Sequence, residues 1–141
     1  MDFTLDTIAD VSDASAHAVL YELLGADNMR KSGRPDRSDF AILIRQQPGD
    51  AVTGGIWLVD DCGWAFIDLL YVPDSLQGKG LGGRLLAEAE LLVRERGLVG
   101  LWTNTYDFQS KGFYEKQAFT EFGLLEACPG AAGQSFLMKR F

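Results

Sequence analysis

The sequence is short of several residue types, and each shortage excludes a class of chemistry. Its 141 residues include two cysteines, Cys62 and Cys128, and one histidine, His17. The cysteines have no metal-ligand spacing, so no metal site is expected, and free thiols in a cytoplasmic protein are the default reading. His17 falls inside a helical pattern, where a lone histidine reads as a surface or packing residue rather than a catalyst. No apolar run approaches the roughly 18 residues that a membrane span needs. Met1-Asp2 leads straight into Phe3-Thr4-Leu5, with no secretory leader expected. Positive charge is scarce as well: 13 Lys and Arg against 20 Asp and Glu give a formal charge of -7. That balance speaks against nucleic acid or an anionic membrane as a partner and is compatible with a cationic amine. There is no Gly-x-x-x-x-Gly-Lys-Ser/Thr phosphate loop and no internal repeat.

What is present is a globular composition. Hydrophobic residues make up 47% of the chain, which suits one packed domain over residues 1–141 and is too little chain for two large ones. The apolar periodicities predict a strand at 3–8, then a helix at about 14–24. Ser12 or Asp13 caps that helix, and Ala16, Val19, Leu20, Leu23 and Leu24 form its buried stripe. Residues 25–38 read as a polar loop. Its Arg30, Lys31, Arg34 and Arg37 are interrupted by Asp27, Asp36 and Asp39, which favours a solvated loop over a nucleic-acid patch. Strands follow at 40–45, 51–59 and 64–72, with turn signals at 47–50 and 60–63 between them. Residues 98–103 are nearly continuously apolar, as in a strand covered on both faces, and a helix-linked crossover makes them parallel to 64–72. A short helix through Tyr114 and Lys116, then an antiparallel pair at 118–125 and 134–140, close the chain. The expected fold is α/β in the α+β sense: a mixed, mostly antiparallel sheet of about six or seven strands, flanked by helices, with a central parallel pair.

One stretch organises the rest. Pro73 stops the strand that ends at Val72, and Gln77-Gly78-Lys79-Gly80-Leu81-Gly82-Gly83 follows. Then Leu81, Leu85, Leu86, Ala89, Leu92 and Val93 recur at helical spacing up to Gly97. Main-chain N–H groups at such a helix start, with no side chains in the way, are a seat for phosphate; the plainer alternative is glycines that only permit a tight turn. Gly78-Lys79-Gly80-Leu81-Gly82-Gly83 satisfies the G-x-G-x-x-G of dinucleotide folds. The context disagrees, because residues 73–77 intervene where those folds turn almost at once, and one strand–helix–strand unit is too little for two mononucleotide halves.

Gln77-Gly78-Lys79-Gly80-Leu81-Gly82 also fits Gln/Arg-x-x-Gly-x-Gly/Ala, and in this it resembles the pyrophosphate-arm motif of the GNAT superfamily of N-acetyltransferases. Lys111-Gly-Phe-Tyr-Glu-Lys-Gln-Ala-Phe119 is similar to the family's second signature, Phe-Tyr-x-Lys-x-Gly-Phe, and departs from it at Ala118, where glycine is usual. Thr105-Tyr-Asp-Phe-Gln109 is similar to small bacterial members. The element order β-α-β-β-β-α-β-α-β-β extends the resemblance over nearly the whole chain.

The resemblance implies acetyl-CoA as co-substrate and a parallel strand pair parted to admit its pantetheine arm. By it, Leu70, Tyr71 and Val72 offer main-chain groups to the pantetheine and the acetyl carbonyl. Gln77, Gly78, Lys79, Gly80, Leu81, Gly82 and Gly83 hold the pyrophosphate, with Arg84 adding charge; Lys79 and Arg84 are as readily plain solvated cations. Asn104 bonds the pantetheine amide, and Phe108, Phe113 and Lys116 line the far end of the co-substrate, Phe113 being equally well a core residue. Tyr114 matches the family's tyrosine beside the sulfur, able to protonate the leaving thiolate, or else is a packed aromatic. The base that frees the amine is open: Asp68 is the first candidate, equally readable as a structural acceptor, and Glu22 and Asp107 follow. Neither cysteine falls in this site, so direct transfer to a small-molecule amine (or peptide) in a ternary complex is implied. Two alternatives stand beside it, a CoA-binding module without turnover and a nicotinamide dinucleotide enzyme. Residues 21–39, 60–63 and 128–133 are expected to frame the acceptor pocket, and exposed edge strands point to a homodimer.

Overall fold

The computed structural model describes residues 3–35 and 37–141; Met1, Asp2 and Asp36 lie outside the described residues. The chain divides into two compact units, Met1–Asp36 and Arg37–Phe141.

The first unit is built on helix α1, Ser15–Ser32. Asp13 accepts the Ser15 N–H at 2.9 Å and the Ser15 hydroxyl at 2.5 Å, which ties down the helix start. The helix runs past Gly25 into the stretch expected as a polar loop. Asp27 explains the difference, because it pairs with Arg30 three residues on and with Lys31 four residues on, the latter at 2.5 Å, which supports the last turns. Arg30 and Lys31 also suit the negative end of the helix, and the Gly33 N–H closes onto the Met29 carbonyl at 2.8 Å. The stripe expected to be buried is not: Val19, Leu20, Leu23 and Leu24 are all more than half exposed, and no residue of α1 is buried. Nor is there a strand at 3–8, which is exposed throughout; Thr7 and Ile8 reverse the alternation set by Phe3 to Asp6, so no single face stays apolar as a half-buried strand needs.

The second unit is a six-stranded sheet in the order β1-β2-β3-β4-β6-β5. Its strands are β1 Ser38–Ile44, β2 Gly54–Asp61, β3 Trp64–Tyr71, β4 Gly100–Tyr106, β5 Thr120–Leu125 and β6 Gln134–Arg140. Helix α2, Leu81–Glu95, joins β3 to β4, and the short helix α3, Lys111–Lys116, joins β4 to β5. Every neighbouring pair is antiparallel except β3 and β4, which the crossover through α2 makes parallel. The β2–β3 hairpin turns on Cys62 and Gly63, whose φ angles of 56° and 94° are the positive pair that a type I′ turn requires. Leu85, Leu86, Ala89 and Val93 form one face of α2 and pack with Ile56, Leu58, Ala65, Ile67, Leu101 and Leu137 of the sheet. β4 begins at Gly100 rather than at Leu98, because Leu98 is spent ending α2: its N–H reaches the Val93 carbonyl at 3.1 Å.

Two irregularities in β3 create the space beside it. Leu58 pairs with Ile67 but the next residue back, Trp57, pairs with Leu69, so Asp68 is the extra residue of a β-bulge. The parallel ladder to β4 holds only Ala65 with Leu101 and Phe66 with Trp102, and it stops just before the bulge.

Candidate active site

Beyond that last rung β3 and β4 part, and a cavity of about 620 Å³ opens between them. One wall is β3 from Ile67 to Tyr71 with Val72 just after it, the other is Thr103, Asn104 and Thr105 of β4, and the floor is the glycine loop with the first turn of α2. Phe113 and Tyr114 of α3 complete the lining.

The helix start is bare. Gly80 is the N-cap, no side chain caps it, and no acidic residue sits in the first turn. The first helical bond is Arg84 N–H to the Gly80 carbonyl, 3.1 Å, so the N–H groups of Leu81, Gly82 and Gly83 have no partner within the helix. The four glycines divide the work. Gly78 and Gly80 both have φ of 73°, and a Cβ on either would meet no atom within 4 Å; they are needed for backbone conformation and leave open space in front of the amides. Packing is what constrains Gly82, whereas Gly83 has only an ordinary contact beside it. A Cβ on Gly82 would lie 3.3 Å from Phe113 Cε2, and one on Gly83 would lie 3.4 Å from Gln117 Nε2. Gln77 serves as a clamp: its Nε2 donates to the Val72 carbonyl at 2.9 Å and to Asp74 Oδ1 at 3.2 Å, holding the strand end against the loop. Unpaired amides, a positive helix end, absent carboxylates and open space above the glycines fit a diphosphate.

Tyr114 is 8% exposed and sits between two rings, with centroid distances of 5.1 Å to Phe113 and 5.4 Å to Phe119. Burial raises its pKa above the ordinary phenol value, and a hydrogen bond with the Thr103 hydroxyl pulls the other way. Asp68, the bulge residue, is exposed and lines the cavity.

Thirteen of the expected site residues converge here: Asp68, Leu70, Tyr71, Val72, Gln77, Gly78, Gly80, Leu81, Gly82, Gly83, Asn104, Phe113 and Tyr114 all line the cavity. Lys79, Arg84, Phe108 and Lys116 lie outside its lining. They are exposed, and the Phe108 ring stacks on Tyr106 at 5.2 Å. Of the other base candidates, Asp107 accepts the Gly133 N–H through Oδ2 at 2.9 Å, which makes it a loop tie, and Glu22 is exposed on α1 in the first unit.

Residues 13–119 match the Acetyltransferase (GNAT) family. The chain belongs to the GNAT acetyltransferase family. It is 37% identical over 143 residues to acetyltransferase Atu2258 of Agrobacterium fabrum, and the match covers 100% of both chains. A solved structure from Agrobacterium tumefaciens, whose own assignment as an acetyltransferase is provisional, superposes with a TM-score of 0.86 at 35% identity, again over 100% of each chain. At 18% identity the chain shares its fold with an aminoglycoside 6'-N-acetyltransferase solved with coenzyme A, with a TM-score of 0.61 over 91% of this chain and 94% of that chain.

Within the GNAT frame, sequence reasoning missed Thr103, Thr105, Gln109 and Ser110, all of which line the cavity. Thr103 and Thr105 are buried on the same side of β4 as Leu101. The signal was there: two hydroxyls at alternate positions, in line with Leu101, are placed where a core face has to become polar. Gln109 holds the following loop by accepting the Tyr106 N–H at 2.9 Å and the Thr105 hydroxyl at 3.2 Å.

Proposed function

We propose that this chain is an acetyl-CoA-dependent N-acetyltransferase that moves an acetyl group to a primary amine of a small molecule (or peptide) by direct attack in a ternary complex, with residues 1–141 as one N-acetyltransferase domain. The observation that carries the reading is the coincidence of two features in one cavity: a strand edge that no strand pairs beyond Phe66 among the described residues, and a bare helix start at its end. The first suits the pantetheine arm and the second its diphosphate. Family membership and the relative solved with coenzyme A support the same co-substrate.

The thioester supplies an activated acetyl group; the chain's own residues do the rest. Main-chain groups of Leu70, Tyr71 and Val72 hold the pantetheine and polarise the acetyl carbonyl. The loop and first turn, Gln77 to Gly83, hold the pyrophosphate, with Lys79 and Arg84 as cations near it. Asn104 bonds the pantetheine amide, and Phe108, Phe113 and Lys116 flank the rest of the co-substrate. Tyr114 gives its phenol proton to the departing sulfur, and the burial that raises its pKa keeps it protonated for that task. Asp68 takes a proton from the incoming ammonium through water, for which its exposure on the cavity wall is suited. We place the protein in the cytoplasm, where acetyl-CoA is made; among the described residues no helix is long and apolar enough to cross a membrane. A homodimer formed through an outer edge, β1 or β5, completes the proposal.

The test is thiol release with acetyl-CoA and a panel of small primary amines, expected only when both are present. Coenzyme A binding in calorimetry with no release across the panel would make the chain a binding module instead. Tyr114→Phe is expected to lower kcat by about a hundred- to ten-thousandfold with coenzyme A affinity nearly unchanged; full turnover in that variant removes the tyrosine from the mechanism.

A further inference from the structure

The turn after β4 fixes the orientation of one side-chain amide. The two ends of a glutamine amide have nearly the same shape, but a main-chain N–H can only donate. The atom 2.9 Å from the Tyr106 N–H is therefore the Gln109 carbonyl oxygen, Oε1. The Thr105 hydroxyl lies 3.2 Å from the same oxygen and donates to it as well. Oε1 is thereby filled, and Nε2 keeps both its hydrogens, since among the described residues no protein group accepts from it. The turn that carries the amide is held from both sides. The Gln109 N–H reaches the Tyr106 carbonyl at 2.9 Å. Asp107 donates its N–H to the Gly133 carbonyl and accepts the Gly133 N–H, each at 2.9 Å, and the Tyr106 and Phe108 rings stack at 5.2 Å. Gln109 lines the cavity, so a donor whose orientation is set in advance belongs to the cavity wall.

We propose that Gln109 is a binding residue for the co-substrate, donating from Nε2 to the amide carbonyl of the pantetheine arm that lies nearer the diphosphate. The proposal rests on the reading of this cleft as the acetyl-CoA site and adds a residue on the wall opposite β3. β3 and β4 are parallel, so their C-terminal ends face the same way; the glycine loop follows one and Gln109 follows the other. An arm running inward from a diphosphate on that loop, toward the point where the strands part beyond Phe66 and Trp102, passes Gln109 first and Asn104 after it. The arm carries two amides. Asn104, deeper on β4, takes the inner one and Gln109 the outer. A carbonyl that leaves water for a cleft needs a donor in water's place, and Nε2 supplies one. Because Oε1 is already held, little rotamer freedom is left to lose on binding.

The test is calorimetry with two ligands, coenzyme A and 3'-phospho-ADP, its nucleotide half, which carries the diphosphate without the arm. The ratio of the two affinities isolates what the arm contributes. Two variants are compared with the wild type. Gln109→Met keeps the length and removes the amide. Gln109→Glu keeps an oxygen for the Tyr106 N–H and the Thr105 hydroxyl but, as a carboxylate, has no hydrogen to give. Both are expected to lower the ratio about three- to tenfold, the worth of one neutral hydrogen bond, while Gln109→Met binds the nucleotide half as the wild type does. A ratio unchanged in either variant overturns the proposal; unchanged in Gln109→Glu alone, it makes the side chain a loop tie and nothing more. Wild-type protein that binds neither ligand, or binds the nucleotide half as tightly as coenzyme A, removes the co-substrate reading and this proposal together. A wild-type preference for coenzyme A that the variants keep removes this proposal alone. Should Gln109→Met not fold, Gln109→Leu takes its place.

Discussion

Replacing Ala118 by glycine should stabilise the protein, and α2 shows why. That helix ends on Gly97, φ 72°, whose N–H reaches the Arg94 carbonyl at 2.9 Å while the next N–H, of Leu98, reaches back to Val93 at 3.1 Å. The end of α3 repeats the arrangement with a Cβ in the left-handed position. Ala118 has φ of 67°, its N–H reaches Glu115 at 3.1 Å, and the Phe119 N–H reaches Tyr114 at 3.1 Å. This is a Schellman motif, and the apolar contact that accompanies it is Phe119 against the Tyr114 ring. A left-handed residue with a Cβ costs about 1–2 kcal/mol, and the extra freedom of glycine in the unfolded chain takes back about 0.5–1 kcal/mol. The Ala118 side chain is exposed, so no packing is lost, and the net gain is about 0.5–1 kcal/mol. At about 2.1 cal/mol/K per residue, the unfolding entropy is near 0.3 kcal/mol/K, so Tm should rise about 2–3 °C. Differential scanning calorimetry measures this directly. An unchanged or lowered Tm would refute the strain argument, and an altered kcat would show that the cap also sets the position of Tyr114.

The glycines of the loop should separate by role. Gly80→Val, with a branched side chain placed into open space before the helix amides, is expected to lower coenzyme A affinity about ten- to a hundredfold, the worth of one or two charged hydrogen bonds, whereas Gly82→Ala should act on stability first, because its Cβ presses on Phe113 at 3.3 Å; calorimetry and thermal melts read the two effects apart. Glu90 is held by Lys139 at 2.6 Å and Arg94 at 3.0 Å. Burial raises its pKa, but the two cations outweigh burial and leave it below the ordinary carboxylate value. A lowered carboxylate contributes stability above its unfolded pKa and loses it as pH falls through the folded one. Glu90→Gln should therefore cost about 1 kcal/mol near neutral pH and nothing in strong acid, as urea melts at the two pH values would show.

Much of the second unit could be read from residue types alone. Pro73 and the glycines mark a strand end and a helix start whatever surrounds them, and the stripe from Leu85 to Val93 has one way to be buried. The first unit was misread because Gly25 and the charges after it look like a loop until Asp27 finds Arg30 and Lys31 on the same helix face. Thr103 escaped notice for a different reason. A hydroxyl within an apolar strand has no assigned partner until the sheet order puts Ile67 beside it, and that order depends on a crossover rather than on local pattern. The role of Gly82 was likewise hidden, since the Phe113 ring it makes room for comes from α3, some thirty residues on.

The bulge at Asp68 is the irregularity that matters most, and core packing does not require it. Ala65 and Ile67 face the core, and after the bulge Leu70 packs against the same core. With Asp68 deleted, Ile67, Leu69 and Leu70 would alternate without interruption, and Leu70 and Val72 would keep the face they now have. A regular β3 could also extend its parallel ladder along β4 beyond Phe66. The bulge therefore trades ladder bonds for the cavity. Deleting Asp68 should give a chain that still folds cooperatively, with coenzyme A binding in calorimetry reduced at least about tenfold, the worth of roughly one lost hydrogen-bonded contact to a charged group. A deletion variant that binds coenzyme A as tightly as the wild type would show that the strands part for some other reason, and that the glycine loop alone sets the site.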